Sequence, residues 1–117
     1  MRAVVIGMAV IALFAAACSS SPPEVDPVAE PAVADLADRL GVDELTVTVV
    51  SIEEVTWSDG SLGCPDPGMM YTQALENGSL IVLEVDGTLY EYHSGVGQDP
   101  FYCATPIAPV GNGSADT

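Results

Sequence analysis

The strongest local signal in the chain is the stretch Leu80-Ile81-Val82-Leu83-Glu84-Val85-Asp86-Gly87-Thr88-Leu89-Tyr90-Glu91-Tyr92-His93. Two β-rich runs flank an Asp-Gly pair, which is typical of a two-residue type I′ turn. Pairing across that turn places Ile81 opposite Tyr92 on an apolar face, and Leu80 opposite His93 on a more polar one. We therefore predict a β-hairpin whose first face belongs to the core.

A helix is predicted ahead of the hairpin, from about Pro31 to Gly41. Proline is tolerated in the first helical turn, and glycine is common just past a helix end. Between them, apolar residues recur at the spacing i, i+3, i+4 and i+7: Val33, Leu36, Ala37 and Leu40. This spacing places them on one side of an amphipathic helix, which we expect to pack on the sheet.

The residues between helix and hairpin predict a strand, a loop and a second short strand. Residues 45–57 alternate in polarity, but the apolar phase shifts near Val50, which indicates a bulge or a strand buried on both faces. Glycine and proline over 58–68 predict a loop. A short strand is expected over 69–75, ended by Asn77-Gly78.

The N-terminal segment has the features of an export signal. Arg2 provides a positive start, an apolar run follows, and three alanines precede Cys18. The run is shorter than the roughly 20 apolar residues that a membrane-spanning helix needs. Ala15-Ala16-Ala17-Cys18 resembles the lipobox of bacterial lipoproteins, whose cysteine receives a diacylglycerol after cleavage. We therefore predict a lipoprotein signal peptide over 1–17 and lipidation of Cys18. An ordinary secretory signal is the alternative.

Two cysteines remain once Cys18 is acylated, and export places them in an oxidising compartment. An even pair there favours a disulfide between Cys64 and Cys103, which a domain this small needs for stability. The rival interpretation is a metal site of Cys64, Cys103 and His93. It has too few suitable ligands and lacks tight ligand spacing, so no metal or cofactor is expected.

Together these elements predict the α+β fold class. We expect one N-terminal helix packed on a small antiparallel sheet, with a disulfide-stapled loop, in a domain covering 31–108. Prolines and acidic residues predict a disordered tether over 18–30. The glycine-containing end predicts a disordered tail over 109–117. Lipidation at Cys18 implies that the domain is held on the extracytoplasmic face of the cell membrane.

The chain is strongly acidic, with 17 Asp and Glu residues against two Lys or Arg, and a formal net charge of −15. All the acidic residues follow Cys18, and Arg39 is the only basic side chain after it. Such a surface repels phosphate backbones, which excludes nucleic acid as a partner. The acidic residues are scattered, which favours a role in solubility. Attraction of cations or basic proteins is the alternative.

The stretch between the first strand and the hairpin is dense in aromatic, glycine and proline residues: Trp57-Ser58-Asp59-Gly60-Ser61-Leu62-Gly63-Cys64-Pro65-Asp66-Pro67-Gly68-Met69-Met70-Tyr71-Thr72-Gln73. It resembles the signature W-x-D-G-S-L-G-C-P-x-P-G-x-x-Y-x-Q of a family of small exported bacterial proteins of unassigned function. In that family an I-x-L-x-x-x-G-x-x-Y-x-Y-H hairpin follows. The resemblance covers about Val33 to Cys103, and it implies family membership without implying an activity.

Two interpretations of this stretch stay open. In the structural one, Asp59-Gly60 forms a turn, Trp57 and Tyr71 cover the disulfide, and Gln73 satisfies loop carbonyls. In the functional one, a stiff loop carrying aromatic residues binds a partner at low entropy cost. The candidate binding surface then consists of loop residues and the end of the hairpin: Trp57, Asp59, Met69, Met70, Tyr71, Gln73 and His93.

The sequence favours a non-enzymatic envelope lipoprotein that binds a protein or peptide, through this loop and the edge of the hairpin. One alternative is modulation or inhibition of an exported protease, based on a loose topological similarity to PepSY-type propeptide modules. Another is Ca²⁺ binding through Asp59 and Asp66.

An enzyme is not expected. His93 is the only histidine, and a triad of Ser61, His93 and Asp59 lacks the glycine pattern of a nucleophile elbow. His93 is instead predicted to be a surface residue at a strand end. Glu53 and Glu54 point to opposite faces of a strand, so they cannot flank one substrate bond.

Overall fold

The computed structural model describes residues 25–111. Within this range the elements are helix α1 (Glu30–Leu40), a 3₁₀ turn (Glu44–Thr46), and strands β1 (Thr48–Trp57), β2 (Glu76–Val85), β3 (Thr88–Gly95) and β4 (Phe101–Cys103). The strands form one antiparallel sheet in the order β1-β2-β3-β4. This confirms the α+β fold class. The predicted signal peptide, Cys18 and most of the predicted tether lie outside the described residues.

The β2–β3 hairpin has the predicted turn and register. Asp86 and Gly87 both have positive φ angles, 50° and 81°, which a type I′ turn requires. Ile81 pairs with Tyr92, and Leu80 pairs with His93. The predicted turn and register are therefore confirmed, because turn chemistry and alternation agree along this stretch.

Helix α1 is also confirmed. Pro31 lies in its first turn, and Gly41 ends it in the left-handed conformation, with φ 65°. Its N–H points back to the carbonyl oxygens of Ala37 and Asp38. Val33 and Leu36 are buried against the sheet, whereas Leu40, in the last turn, is partly exposed. The apolar stripe therefore packs as predicted except at its C-terminal end.

Strand β1 contains the predicted bulge. Its register against β2 shifts between Val49 and Ser51. Before the bulge Val49 faces α1, and after it Val55 and Trp57 face the other side, so β1 is buried on both faces. The strand begins at Thr48 rather than 45, because residues 44–46 form the 3₁₀ turn. The Asp43 carboxylate caps this turn by accepting a hydrogen bond from the backbone N–H of Leu45.

The predicted strand over 69–75 is wrong. β2 starts at Glu76, and Asn77 and Gly78 lie inside it. Gly78 faces the indole of Trp57, and a Cβ atom there would collide with the backbone oxygen of Ser94 and with the Trp57 ring nitrogen. This glycine therefore permits a close approach between side chain and backbone, which a local sequence pattern cannot distinguish from a turn signal.

Two apolar clusters lie on opposite faces of the sheet. The larger joins α1 to the sheet and is centred on Leu36, Ile81, Leu83 and Tyr92. The smaller consists of Val55, Trp57 and Leu62, with Leu80 packed against it. Burial of each large side chain contributes about 1.5–3 kcal/mol, so both faces stabilise the domain. The loop after β1 forms the cover of the second face.

Residues near both ends of the described chain contact the rest of the domain. Ala29, just ahead of α1, is fully buried. Val110 pairs with Thr56 as an isolated bridge beside β1. Over residues 25–111 no helix has the length and hydropathy needed to cross a membrane.

Candidate functional site

Trp57 and His93 form a buried pair beneath the loop that follows β1. Both side chains are fully buried, and their rings stack with centroids 4.3 Å apart. The indole nitrogen of Trp57 donates a hydrogen bond of 3.0 Å to the backbone oxygen of Ser94. The functional interpretation of the sequence places both residues on a binding surface, but neither side chain is exposed. Their rings lie inside the second core, where they hold the loop to the sheet.

The imidazole of His93 bonds both to the loop after β1 and to its own strand, β3. Its Nδ1 lies 2.6 Å from the carbonyl oxygen of Leu62, and its Nε2 lies 2.6 Å from Oε1 of Glu91. A carbonyl oxygen only accepts, so Nδ1 carries a hydrogen and donates it. The predicted surface position fails because residues 58–64 fold over this end of β3. Leu62 is 31 residues from His93, and no local pattern signals such a contact.

Residues 59–64 form a compact turn over the second face. One carboxylate oxygen of Asp59 accepts from both the backbone N–H and the hydroxyl of Ser61, at 2.9 and 2.5 Å. These two bonds hold the pKa of Asp59 below its ordinary value. Gly60 donates to Thr72 across the loop at 2.9 Å. The Asp59-Gly60 turn is therefore confirmed, and it connects both ends of the loop.

Ser61, His93 and Asp59 do not form a catalytic triad in the structure. Ser61 and Asp59 are bonded to each other, but both ring nitrogens of His93 have other partners, Leu62 and Glu91. The hydroxyl of Ser61 therefore has no hydrogen bond from this imidazole. The arrangement supports the turn and does not align a nucleophile with a base.

The predicted disulfide joins Cys64 at the end of this turn to Cys103 in β4, with Cα atoms 5.8 Å apart. It closes a loop of 39 residues, which stabilises the fold by about 4 kcal/mol in the chain-entropy model. Gly63, with φ +72°, lies against the Trp57 ring, and an added Cβ would come within 2.5 Å of it. The absence of a side chain at Gly63 therefore lets the turn pack directly against the indole of Trp57.

Residues 65–75 form the outer part of the loop, the loop tip. It forms no helix or strand, and it exposes Met69, Met70 and Leu75. The Tyr71 hydroxyl accepts a hydrogen bond of 2.8 Å from the backbone of Asp66. The Gln73 amide donates to the Tyr71 carbonyl at 3.2 Å, so its predicted role is confirmed. The tip is therefore both exposed and internally braced.

The hairpin itself offers little free edge. β2 is paired on both sides, and β4 covers β3 from Glu91 to His93. On this edge of β3, Thr88 to Tyr90 at one end and Ser94 and Gly95 at the other have no partner in β4. The hairpin edge that the sequence suggests for strand addition is thus reduced to these two short segments. Among the predicted surface residues, Met69, Met70 and Gln73 are exposed, and all three lie in the loop tip.

A family model describing a domain of unknown function, DUF8738, matches residues 29–103, more than half of the chain. The chain belongs to this family. The match runs from the start of α1 to the end of β4, so it includes the loop, the disulfide and the hairpin. No curated protein and no solved structure matches the chain.

In this DUF8738 domain the acidic side chains are dispersed. Among residues 25–111, no three His, Cys, Asp or Glu side chains are grouped closely enough to hold a metal ion. Asp59 already uses one oxygen for Ser61, while Asp66 is exposed at the loop tip. In the described part of the domain, Trp57 and His93 are therefore buried and hydrogen-bonded within the fold, whereas the loop tip carries exposed apolar side chains.

Proposed function

We propose that the protein is a non-enzymatic envelope lipoprotein whose domain binds a protein partner through the loop tip. One observation carries this proposal: Met70 is 95% exposed, and Met69 is 61% exposed, on a segment that the fold holds in place. Exposed apolar side chains on a braced loop are characteristic of contact surfaces.

The bracing reduces the entropy cost of binding. Ordering a residue costs about 1–2 kcal/mol, and here folding has already ordered the tip. The disulfide at Cys64 fixes one end, and the bond from Gly60 to Thr72 holds the other. Pro65 and Pro67 further limit the backbone. A partner therefore meets a surface that requires little reorganisation on binding.

The chemistry of the tip indicates the kind of partner. Methionine side chains are flexible and polarisable, so they fit apolar pockets of varied shape. The exposed Asp66 lies in the same tip, on a chain with a net charge of −15. A complementary partner has an apolar pocket bordered by Lys or Arg, which steers association and excludes acidic competitors.

The location rests on the N-terminal segment. The lipobox-like run before Cys18 supports acylation of that cysteine, and each buried CH₂ of an acyl chain contributes about 0.8 kcal/mol to anchoring. Intact-mass analysis of native protein tests this directly. We expect a chain that starts at Cys18 and carries a diacylglycerol. An uncleaved or unacylated chain would contradict the anchor while leaving the binding proposal to its own test.

Site-specific photocrosslinking in native envelopes tests the binding surface. A photoreactive residue at Met70 is compared with one at Leu89, which is similarly apolar and exposed but lies at the hairpin turn. We expect a discrete crosslinked protein with a basic-bordered apolar pocket from position 70 only. Adding Met69→Glu to the chain with the photoreactive residue at position 70 is expected to reduce the yield of this crosslinked product at least fivefold. Equal crosslinking from both positions would refute the loop tip as the contact surface.

A further inference from the structure

Helix α1 covers only part of its face of the sheet, and a polar cleft of about 660 Å³ lies beyond its first turn. One wall contains Pro27 and Pro31 at the start of the helix. The opposite wall is the turn after β3, residues 96–100. The size is that of a small-molecule site, within the usual range of about 300–1,000 Å³.

The floor of the cleft comes from three neighbouring strands. Strand alternation places polar residues on the α1 face beyond the apolar core: Glu54, Thr56, Asn77, Ser79 and Ser94. The Thr56 hydroxyl donates to the side-chain oxygen of Asn77 at 3.2 Å. This bond orients the Asn77 amide and leaves its N–H groups to donate elsewhere.

The hydroxyl of Ser94 is the group in this cleft that points to a bound ligand. It is 5% exposed and lies in the floor of the cleft, opposite Ser79 on the neighbouring strand. Within residues 25–111 its hydroxyl makes no hydrogen bond to another protein group, although its backbone oxygen is bonded to Trp57. Buried hydroxyls are almost always bonded, because desolvation without a partner is costly. A bound molecule would supply the missing partner.

The charges around the cleft select the ligand class. Its charged lining residues in the described chain are the carboxylates Glu54 and Asp99, with no basic residue among them. The positive end of the α1 dipole opposes a cation, but Glu30 in the first turn offsets it. We propose that this cleft binds a small polar ligand bearing a primary amine. The amine donates to the carboxylates, and a hydroxyl or second amine bonds to Ser94.

This site is separate from the loop tip and does not depend on the proposed function. It also has a built-in reporter. Trp57 is the only tryptophan of the chain, and its indole donates to the backbone of Ser94. A ligand bonded to the Ser94 hydroxyl alters the surroundings of the residue that accepts from the indole, so tryptophan emission should change on binding.

The test uses two matched pairs of probes, putrescine with 1,4-butanediol and glucosamine with glucose. Each pair differs by replacing amine with hydroxyl. Titrations of the purified protein follow tryptophan emission and calorimetric heat. We expect at least one amine to bind about tenfold more tightly than its neutral partner, the effect of a charge-assisted hydrogen bond. No preference for either amine would overturn the proposal.

Adjacent glutamates provide a matched control. Glu54 lines the cleft, whereas Glu53 lies next to it on β1, is also exposed, and points to the opposite face. We expect Glu54→Gln to weaken binding of the preferred amine about tenfold, and Glu53→Gln to leave it within twofold. An equal loss in both variants would show a general effect of charge and would overturn the site.

Ser94→Ala separates binding from folding. Because the hydroxyl has no partner in the described domain, its removal should leave the melting temperature unchanged or slightly raised. The same variant should bind the amine about fivefold more weakly, through the lost hydrogen bond. A lowered melting temperature with unchanged affinity would mean that Ser94 serves the fold alone.

Discussion

Replacing Tyr92 with phenylalanine tests the polar contact that ties α1 to the sheet. The Tyr92 side chain is buried in β3, and its hydroxyl donates to Oδ2 of Asp35 at 2.6 Å. The same oxygen accepts from Arg39 at 2.6 Å. The substitution keeps the ring and its packing, so no cavity forms. The measured loss therefore reports the hydroxyl–carboxylate bond.

The expected magnitude follows from the exposure of the acceptor. A hydrogen bond to a charged group contributes about 1.5–3 kcal/mol when both partners are shielded from water. The Asp35 side chain is 43% exposed, so water replaces part of the lost bond. We expect Tyr92→Phe to lower the free energy of unfolding by about 1 kcal/mol at pH 7.

The loss should depend on pH in one direction. The Tyr92 hydroxyl, and then Arg39, hold the pKa of Asp35 below its ordinary value. A depressed carboxylate pKa stabilises the fold above the unfolded pKa, and the contribution disappears as pH falls through the folded pKa. Burial raises the pKa of Tyr92, so the donor keeps its proton throughout. The difference between variant and parent should therefore shrink below about pH 4.

Urea unfolding at pH 7, 5 and 3 measures this difference, within a double-mutant cycle with Asp35→Asn. Asp38→Asn is the control, since that carboxylate is exposed on the same helix. We expect coupling between Tyr92 and Asp35 and none between Tyr92 and Asp38. An equal loss at pH 7 and pH 3 would show that the charge of Asp35 plays no part, and would refute the reasoning.

Three further experiments test the loop side of the sheet. Replacing Cys64 and Cys103 by serine should cost about 4 kcal/mol in urea unfolding, and an unchanged midpoint would contradict the constraint. Gly78→Ala should cost about 3 kcal/mol, against about 1 kcal/mol for Gly97→Ala, which has positive φ but open space; equal thermal shifts would contradict the close packing. His93→Ala should cost about 3 kcal/mol and red-shift tryptophan emission, and an unshifted spectrum would contradict the stacking.

The hairpin, helix and bulge could be predicted because each rests on neighbouring residues. Asp86-Gly87 fixes the turn, and alternation then fixes the register from Ile81 to Tyr92. The disulfide needed only the count of cysteines and the expectation of export. Each of these features depends on residues close together in the sequence, or on two cysteines that have no other partner once Cys18 is acylated. They can therefore be predicted without knowing the tertiary structure.

The burial of Trp57 and His93 could not be predicted in this way. Their environment depends on residues 58–64 folding back over the sheet, and the contacts join residues 31 and 37 positions apart. The same fold-back converts Asn77-Gly78 from an apparent turn into the interior of β2. The cleft beyond α1 was equally hidden, because it depends on where the helix stops covering the sheet.

The family-like signature from Trp57 to Gln73 therefore divides into two parts with different physical roles. The part from Trp57 to Cys64 packs on the sheet and is fixed by ring stacking, hydrogen bonds within the turn and the disulfide. The loop tip, by contrast, leaves its large apolar side chains exposed to solvent. Both proposed sites depend on the first part: it anchors the tip, and Trp57 bonds to the backbone of Ser94 in the cleft floor. A substitution at His93 would thus impair both. Only surface changes such as those at Met70 and Glu54 can separate the two sites, because each alters one contact surface and leaves the shared support intact.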